Sequence, residues 1–263
     1  MSLPKLTRAL TIAGFDPAGG AGVLADIRTF AAFGLPGAAA ITSITFQNHS
    51  AVFGAIHQTP EAVRAQVEPL LEGFTIVCGK TGMLPTSEVV IEVARLFRDF
   101  DLPRPVVDPV IRSSSGRRLM NEDAIDLLVA ELLPLARLVT PNIPEAARLT
   151  GMTIKSESDM RRATAVIRKM GARAVLIKGG HLGEQAKGSK QNAESEEAID
   201  VLDDEGQVTV FRAPRVSGAE LHGSGCILSA AIAAGLGKGM ALEDSVGAAK
   251  SFVLAAIRDS LRQ

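Results

Sequence analysis

The stretch Ala9-Leu10-Thr11-Ile12-Ala13-Gly14-Phe15-Asp16-Pro17-Ala18-Gly19-Gly20-Ala21-Gly22 decides the fold class. Ala9 to Ala13 is apolar and short, as a buried strand is, and Val23 to Phe33 repeats its apolar residues at helical spacing. The glycines between them mark a strand-to-helix turn at which backbone can approach a ligand closely. The same alternation recurs along the chain. Apolar runs at Leu10 to Ala13, Gly37 to Ile41, Thr75 to Cys78, Pro105 to Val107, Leu138 to Val139 and Ala174 to Ile177 read as strands. Between and after them, Glu61 to Leu71, Ser87 to Phe97, Asn121 to Leu132, Ser158 to Met170, Gly225 to Leu236 and Leu242 to Leu261 read as helices. This predicts an α/β chain, a three-layer α/β/α sandwich with a mostly parallel central sheet.

With 263 residues and 46% hydrophobic content, the chain suits one large core, so a single domain over 1–263 is expected. Ala198 to Leu202 and Val208 to Phe211, separated by Asp203-Asp204-Glu205-Gly206-Gln207, read as a β-hairpin at one sheet edge. The polar segment Gly183 to Glu197 reads as a mobile surface loop, a flap beside the Lys178-Gly179-Gly180-His181 turn.

A formal net charge of -1 gives no basic field for a nucleic-acid backbone, and the absence of Trp and Tyr removes the best stacking side chains. Nucleic acid is therefore not an expected partner. No apolar run is long enough to cross a bilayer, and the start lacks a secretory h-region, which points to a soluble cytoplasmic protein with no membrane partner. Cys78 and Cys226 are too few for a disulfide framework, and His49, His57, His181 and His222 stand singly, without zinc spacing. Gly20 to Ala25 fits the loose dinucleotide-binding spacing but lies past the strand end, with no acid between Asp26 and Glu61 to hold a ribose. Gly79-Lys80-Thr81 has Phe74 where a phosphate loop needs its first glycine.

His222-Gly223-Ser224-Gly225-Cys226 runs directly into an alanine-rich apolar segment. Small residues at the mouth of a helix leave backbone N–H groups pointing at whatever binds there, and the helix dipole favours an anion. Cys226 among those groups is expected to have a lowered thiol pKa, as a base or an activated thiol; a glycine turn before a core helix, with an inert buried cysteine, is the other reading.

These two glycine segments, with Thr45-Phe46-Gln47-Asn48, Lys80-Thr81-Gly82-Met83-Leu84, Asp108-Pro109-Val110, Thr140-Pro141-Asn142-Ile143-Pro144-Glu145 and Lys178-Gly179-Gly180-His181, occur in the order seen in hydroxymethylpyrimidine/phosphomethylpyrimidine kinases. The chain resembles that family, within the ribokinase-like superfamily, from about Leu10 to Leu261. The resemblance implies a ribokinase-like kinase that uses ATP and Mg²⁺ to phosphorylate an aminopyrimidine alcohol in thiamin biosynthesis, often followed by transfer onto the monophosphate. It also implies a homodimer. Phosphoryl transfer asks mainly for positioning and charge neutralisation, which the N–H groups of Gly223, Ser224 and Gly225 suit.

By the same resemblance, Cys226 takes the alcohol proton, standing where sugar kinases carry an aspartate, and Gln47 reads the pyrimidine edge, since an amide offers both a donor and an acceptor. Gly14, Asp26, Met83 and Val110 match substrate-pocket positions, although Met83 and Val110 equally fit ordinary core and Asp26 a helix-dipole carboxylate on a solvated face. Lys178, Asn142 and Ser224 are expected at the nucleotide, and Asp108 and Glu145 at Mg²⁺. Asn142 and Glu145 also read as a helix cap with its first-turn acid. Three features depart from the family pattern. Phe15 and Phe46 replace small residues and are expected to narrow or reshape the pyrimidine pocket. Ser113-Ser114-Ser115-Gly116-Arg117 lacks a usual lysine and acid, and the chain stops at Gln263 without the family's tail. The second phosphorylation is therefore expected to be the weaker, unless Arg112, Arg117 and Arg118 compensate. Pyridoxal kinase and a non-catalytic pyrimidine-phosphate binding protein are the rival readings.

Overall fold

The computed structural model describes residues 5–48, 51–113, 115–180, 197–216 and 221–260. Nine strands form one sheet: β1 (Leu6–Phe15), β2 (Gly37–Gln47), β3 (Val52–His57), β4 (Phe74–Thr81), β5 (Val106–Val107), β6 (Leu138–Val139), β7 (Ala174–Gly179), β8 (Glu197–Asp204) and β9 (Gln207–Pro214). Their spatial order is β3-β2-β1-β4-β5-β6-β7-β8-β9. The pairings from β2 through β7 are parallel, and β3, β8 and β9 join antiparallel at the two ends. Helices cover both faces, as expected of buried parallel strands. On one face, α2 (Pro60–Gly73), α3 (Ser87–Asp99), α4 (Glu122–Leu127), α5 (Ile143–Thr150) and α6 (Glu157–Lys169) close a core containing Leu10, Ile12, Val93, Leu128 and Ile167. On the other, α1 (Gly22–Ala32), α7 (Ser224–Gly237) and α8 (Leu242–Ser260) close one containing Ala9, Phe30, Leu176, Ala231 and Val246.

The expected strands all form. The expected hairpin is β8–β9: its two-residue turn places Glu205 at φ 53° and Gly206 at φ 100°, the left-handed pair that matches strand twist. Three local readings are corrected. The edge strand β3 was not foreseen, because Val52 to His57 carries Gly54 and mixes exposed with half-buried residues. The helix expected over Asn121 to Leu132 is α4 followed by a π turn at Leu128–Leu132 and a 3₁₀ turn at Leu133–Leu135. Pro134 lacks the N–H that would bond Ala130, so the regular ladder cannot continue. The loop expected at 183–196, with His181 and Ser114, lies outside the described residues, and Glu197 opens β8 instead.

After β1 the chain turns to β2 on one side, while β4 lies on the other. The carboxyl ends of β1, β4, β5, β6 and β7 therefore open onto one crevice at a change of direction, where such sheets gather ligands.

Candidate functional site

The amino end of α7 reaches this crevice. Gly223 holds φ at 78°, and a Cβ there would overlap the carbonyl oxygen of Gly20, so the turn lies backbone to backbone against the first glycine loop. The helix has no side-chain cap and no acid in its first turn. Ser224 N–H donates to Leu221 O at 3.1 Å. Helix geometry leaves the N–H groups of Gly225 and Cys226 without an intrahelical acceptor. The backbone N–H groups left open at this helix end are thus those of Gly225 and Cys226.

Two cations lie beneath that end. Lys178 Nζ, at the end of β7, donates to Asp108 Oδ1 at 2.9 Å, and a Cβ on Gly225 would stand 3.1 Å from the same nitrogen. Asp108, just past β5, also accepts from the hydroxyls of Thr140 at 3.3 Å and Ser229 at 3.3 Å. Burial alone would raise its carboxyl, but Lys178, Lys80 and the Thr140 hydroxyl hold it below its ordinary value. Asn142 Oδ1 accepts from Glu145 N–H at 2.8 Å, while Glu145 Oε2 accepts from Asn142 N–H at 2.9 Å, a complete capping box for α5. The second carboxylate oxygen of Glu145 accepts from Ile111 N–H at 3.4 Å. Burial pushes Glu145 up to about 7, Lys178 opposes this, and Asp108 adds to it. No cluster of three or more His, Cys, Asp or Glu side chains suited to a metal occurs among the described residues. Asp108 and Glu145 are hard oxygen donors, which fits a magnesium ion whose remaining ligands are water and phosphate oxygens.

The second cation, Lys80, has no role assigned from sequence, although it opens the Lys80 to Leu84 motif. Lys80, fully buried near the end of β4, donates to both carboxylate oxygens of Asp26 at 3.0 and 2.9 Å, and Thr11 Oγ1 donates to Asp26 Oδ2 at 2.6 Å. Asp26 is thus not on a solvated face; it is the buried counter-ion of Lys80. Desolvation works against the Lys80 charge, but Asp26, Cys226 and Asp108 together keep it protonated. Cys226 requires a correction. Burial raises its thiol pKa, outweighing the nearby Lys80 charge and a hydrogen bond from Gly22 N–H. The lowered thiol expected from sequence is therefore reversed by desolvation, with Asp108 and Asp26 adding to it.

The acceptor side of the crevice is formed by the first glycine loop and the end of β2. A Cβ on Gly14 would come 3.1 Å from Met83 Sδ, so the missing side chain lets Met83 close over the strand. Met83 is buried, with its carbonyl accepting from Thr42 Oγ1 at 2.6 Å; Val110 is half-buried on the turn carrying Asp108. Gln47 donates from its side chain to Asp16. Asp16, 3% exposed, also accepts from Ala18 N–H at 2.8 Å and Ala21 N–H at 2.9 Å, and pairs with His222 Nε2 at 3.2 Å. Burial would raise Asp16, yet the donors from Gln47, Ala18 and Ala21 and the nearby His222 hold it below its ordinary value. Phe46 does not narrow the pocket. It points outward, 48% exposed, and lies over Gly54 of β3. Phe15 is half-buried at the end of β1, where its carbonyl accepts from Thr45 Oγ1 at 2.9 Å.

The structure therefore brings the expected residues to one edge of the sheet and adds Lys80, Asp16, His222 and Ser229. Asp16 and His222 sit inside the two glycine motifs and Lys80 opens the Lys80 to Leu84 motif, so a signal for these three was present in the sequence; Ser229 lies in no motif.

Residues 16–263 match the family model described as phosphomethylpyrimidine kinase. The chain is 41% identical over 248 residues to a hydroxymethylpyrimidine/phosphomethylpyrimidine kinase of Streptomyces coelicolor, covering 94% of this chain and 87% of that one. It is 40% identical over 252 residues to the Aquifex aeolicus enzyme of the same name, covering 96% and 94%. Among solved structures, an ADP complex of Bacillus subtilis pyridoxal kinase superposes with a TM-score of 0.83 at 35% identity, covering 96% of this chain and 92% of that one. The phosphomethylpyrimidine kinase of Clostridium difficile gives 0.81 at 35% identity, covering 96% and 100%.

Proposed function

The chain belongs to the phosphomethylpyrimidine kinase family, and from that premise we propose that it transfers the γ-phosphoryl group of ATP to the hydroxymethyl group of 4-amino-5-hydroxymethyl-2-methylpyrimidine, in thiamin biosynthesis. The observation that carries the reading is the meeting at one sheet edge of an uncapped helix end, the buried Lys80, the half-buried Lys178 and Gln47. The N–H groups of Gly225 and Cys226, with Ser224, receive the transferring phosphoryl group, and Lys178 neutralises its charge as a point cation. Asp108 and Glu145 would hold Mg²⁺, which supplies further charge neutralisation on the phosphates. Asn142 uses its oxygen in the α5 cap, so its amide nitrogen is the atom left for the nucleotide.

On the acceptor side, Gln47 reads the aminopyrimidine edge, with Gly14, Met83 and Val110 around the ring. Cys226 takes the alcohol proton. Because burial raises its thiol, only the minority of molecules that have lost the thiol proton to solvent can accept the alcohol proton, and they do so late, as charge builds on the oxygen beside Lys80. Asp26 holds Lys80 in place rather than touching the substrate.

The monophosphate is the harder acceptor, since its two negative charges face the ATP phosphates. The arginines in and beside the altered Ser113 to Arg117 segment already have partners: Arg117 Phe53 O at 2.9 Å, Arg118 Glu122 at 2.8 Å and Arg112 Gly116 O, within the segment, at 3.1 Å. The first transfer is therefore the faster. Pyridoxal is a second acceptor to test, because solved relatives of similar fold bear the name pyridoxal kinase. The decisive experiment supplies purified protein with ATP, Mg²⁺ and, separately, hydroxymethylpyrimidine, its monophosphate and pyridoxal, and identifies the products chromatographically. The expected order of rates is hydroxymethylpyrimidine, then its monophosphate, then pyridoxal. Phosphorylation of pyridoxal alone overturns the reading, and no turnover with any acceptor favours a binding protein. We further read the chain as a homodimer through the β2–β3 hairpin, where Ile44, Phe46, Phe53 and Ile56 are exposed.

A further inference from the structure

Lys178 is held on both sides of its Cα. Its own N–H donates to Pro141 O at 2.9 Å, beside the single bridge that pairs it with Asn142. The peptide that follows is fixed by a side chain: Gly179 N–H donates to Asp200 Oδ1 at 2.8 Å, from the neighbouring strand β8. A Cβ on Gly179 would overlap the carbonyl oxygen of Ile199, so the missing side chain is what lets the end of β7 lie this close to β8. With both flanking peptides tied down, the direction in which Lys178 leaves the backbone is set, and its Nζ reaches Asp108 Oδ1 at 2.9 Å.

Asp200 is buried, and a buried carboxylate needs a partner for each oxygen. Oδ1 has the Gly179 N–H, and Oδ2 accepts from Lys250 Nζ of α8, whose side chain is itself largely buried. The Lys250 pair therefore neutralises a carboxylate whose other oxygen is spent on the peptide next to Lys178. We propose that Asp200 is a positioning residue for phosphoryl transfer: with Lys250 as its counter-ion, it fixes the peptide after Lys178 and thereby aims that lysine at the ATP phosphates. The proposal rests on the reading of Lys178 given above.

The test compares two double variants that are both neutral at this pair, so that neither leaves a buried charge alone. Asp200→Ala with Lys250→Met removes the acceptor from Gly179 N–H. Asp200→Asn with Lys250→Gln keeps an oxygen there, while the new amide N–H faces the new amide oxygen in place of the ion pair. The first pair is expected to lose about tenfold or more in kcat/KM for ATP and to bind ATP with Mg²⁺ severalfold more weakly by calorimetry without acceptor, with KM for the pyrimidine within about twofold of the wild type. The second pair is expected to keep kcat/KM and Kd for ATP within about threefold. If the first pair does not fold, Asp200→Leu with Lys250→Met removes the same acceptor at nearly constant volume and carries the same expectation. In a Lys178→Met background the first pair should change neither value further, whereas a purely structural loss would persist in both backgrounds. A folded first pair that is unimpaired, equal losses in the two pairs, or a loss undiminished without Lys178 overturns the proposal and leaves Asp200 and Lys250 as a tie between α8 and the sheet. Wild-type kcat/KM and Kd for ATP in Lys178→Met alone instead overturn the reading of Lys178, so the two failures are distinct.

Discussion

Cys226 shows how two opposed effects at one residue set a measurable profile. Its place at the start of α7 and near Lys80 favours the thiolate, but burial favours the thiol more strongly, so the group is protonated at neutral pH. An acid whose pKa is raised yields its base form only as pH rises. Turnover limited by proton removal should therefore climb from pH 6 to 9. Cys226→Asp replaces the thiol by a group of lower ordinary pKa, and its profile should be flatter over that range. Cys226→Ala should lower kcat by about 100-fold or more with little change in KM for the pyrimidine. Steady-state kinetics across pH decide it: a flat wild-type profile together with an unimpaired Ala variant removes Cys226 from the chemistry. The motif around this residue was legible in sequence because its members are adjacent. The sign of the shift was not, since it is set by burial under elements far away in sequence, with Asp108 and Asp26 raising the thiol and Lys80, 146 positions earlier, opposing them. Asp26 and Lys80 are likewise 54 positions apart and meet only across the sheet.

At the scale of elements, Asn142 and Glu145 do two jobs that sequence left as alternatives. The capping box is present, and its loss should be felt by α5 whatever binds nearby. Asn142→Ala should cost about 1 kcal/mol in urea unfolding of the ligand-free protein. Asn142→Asp keeps the capping oxygen but gives up the amide nitrogen; it should retain wild-type stability while raising KM for ATP severalfold. If the Asp variant binds ATP normally, the side chain serves the helix alone. Elements with a continuous local signal were the ones sequence identified: β6 and β7 start where their apolar runs start, and α3 begins at Ser87. The failures occurred where a longer-range cause decides. Val52 to His57 becomes a strand because β2 offers it an antiparallel partner, and the end of α4 is rebuilt by a proline beyond it.

For the molecule as a whole, the ends of the sheet are unlike. At the β9 end, the exposed ladder carries Glu197, Gln207 and Arg212, the last paired with Glu157 of α6, as a managed edge does. At the β3 end, Ile44 and Phe46 alternate with the buried Ser43 and Thr45, and Ile44 pairs directly with Ile56. Phe53 and Ile56 are 65% and 58% exposed, so an edge strand meets water with large apolar side chains and no charged residue on the strand. Such an edge invites a second copy, and a twofold pairing would bury the patch on both chains. The same hairpin ends in Gln47, so docking would also steady the residue that reads the acceptor. Sedimentation velocity at micromolar concentration should show a dimer. Ile56→Lys, at an already exposed position, should give a folded monomer whose KM for the pyrimidine rises more than its KM for ATP. A wild-type protein that sediments as a monomer at tens of micromolar, or an Ile56→Lys protein that remains dimeric, would place the interface elsewhere or remove it.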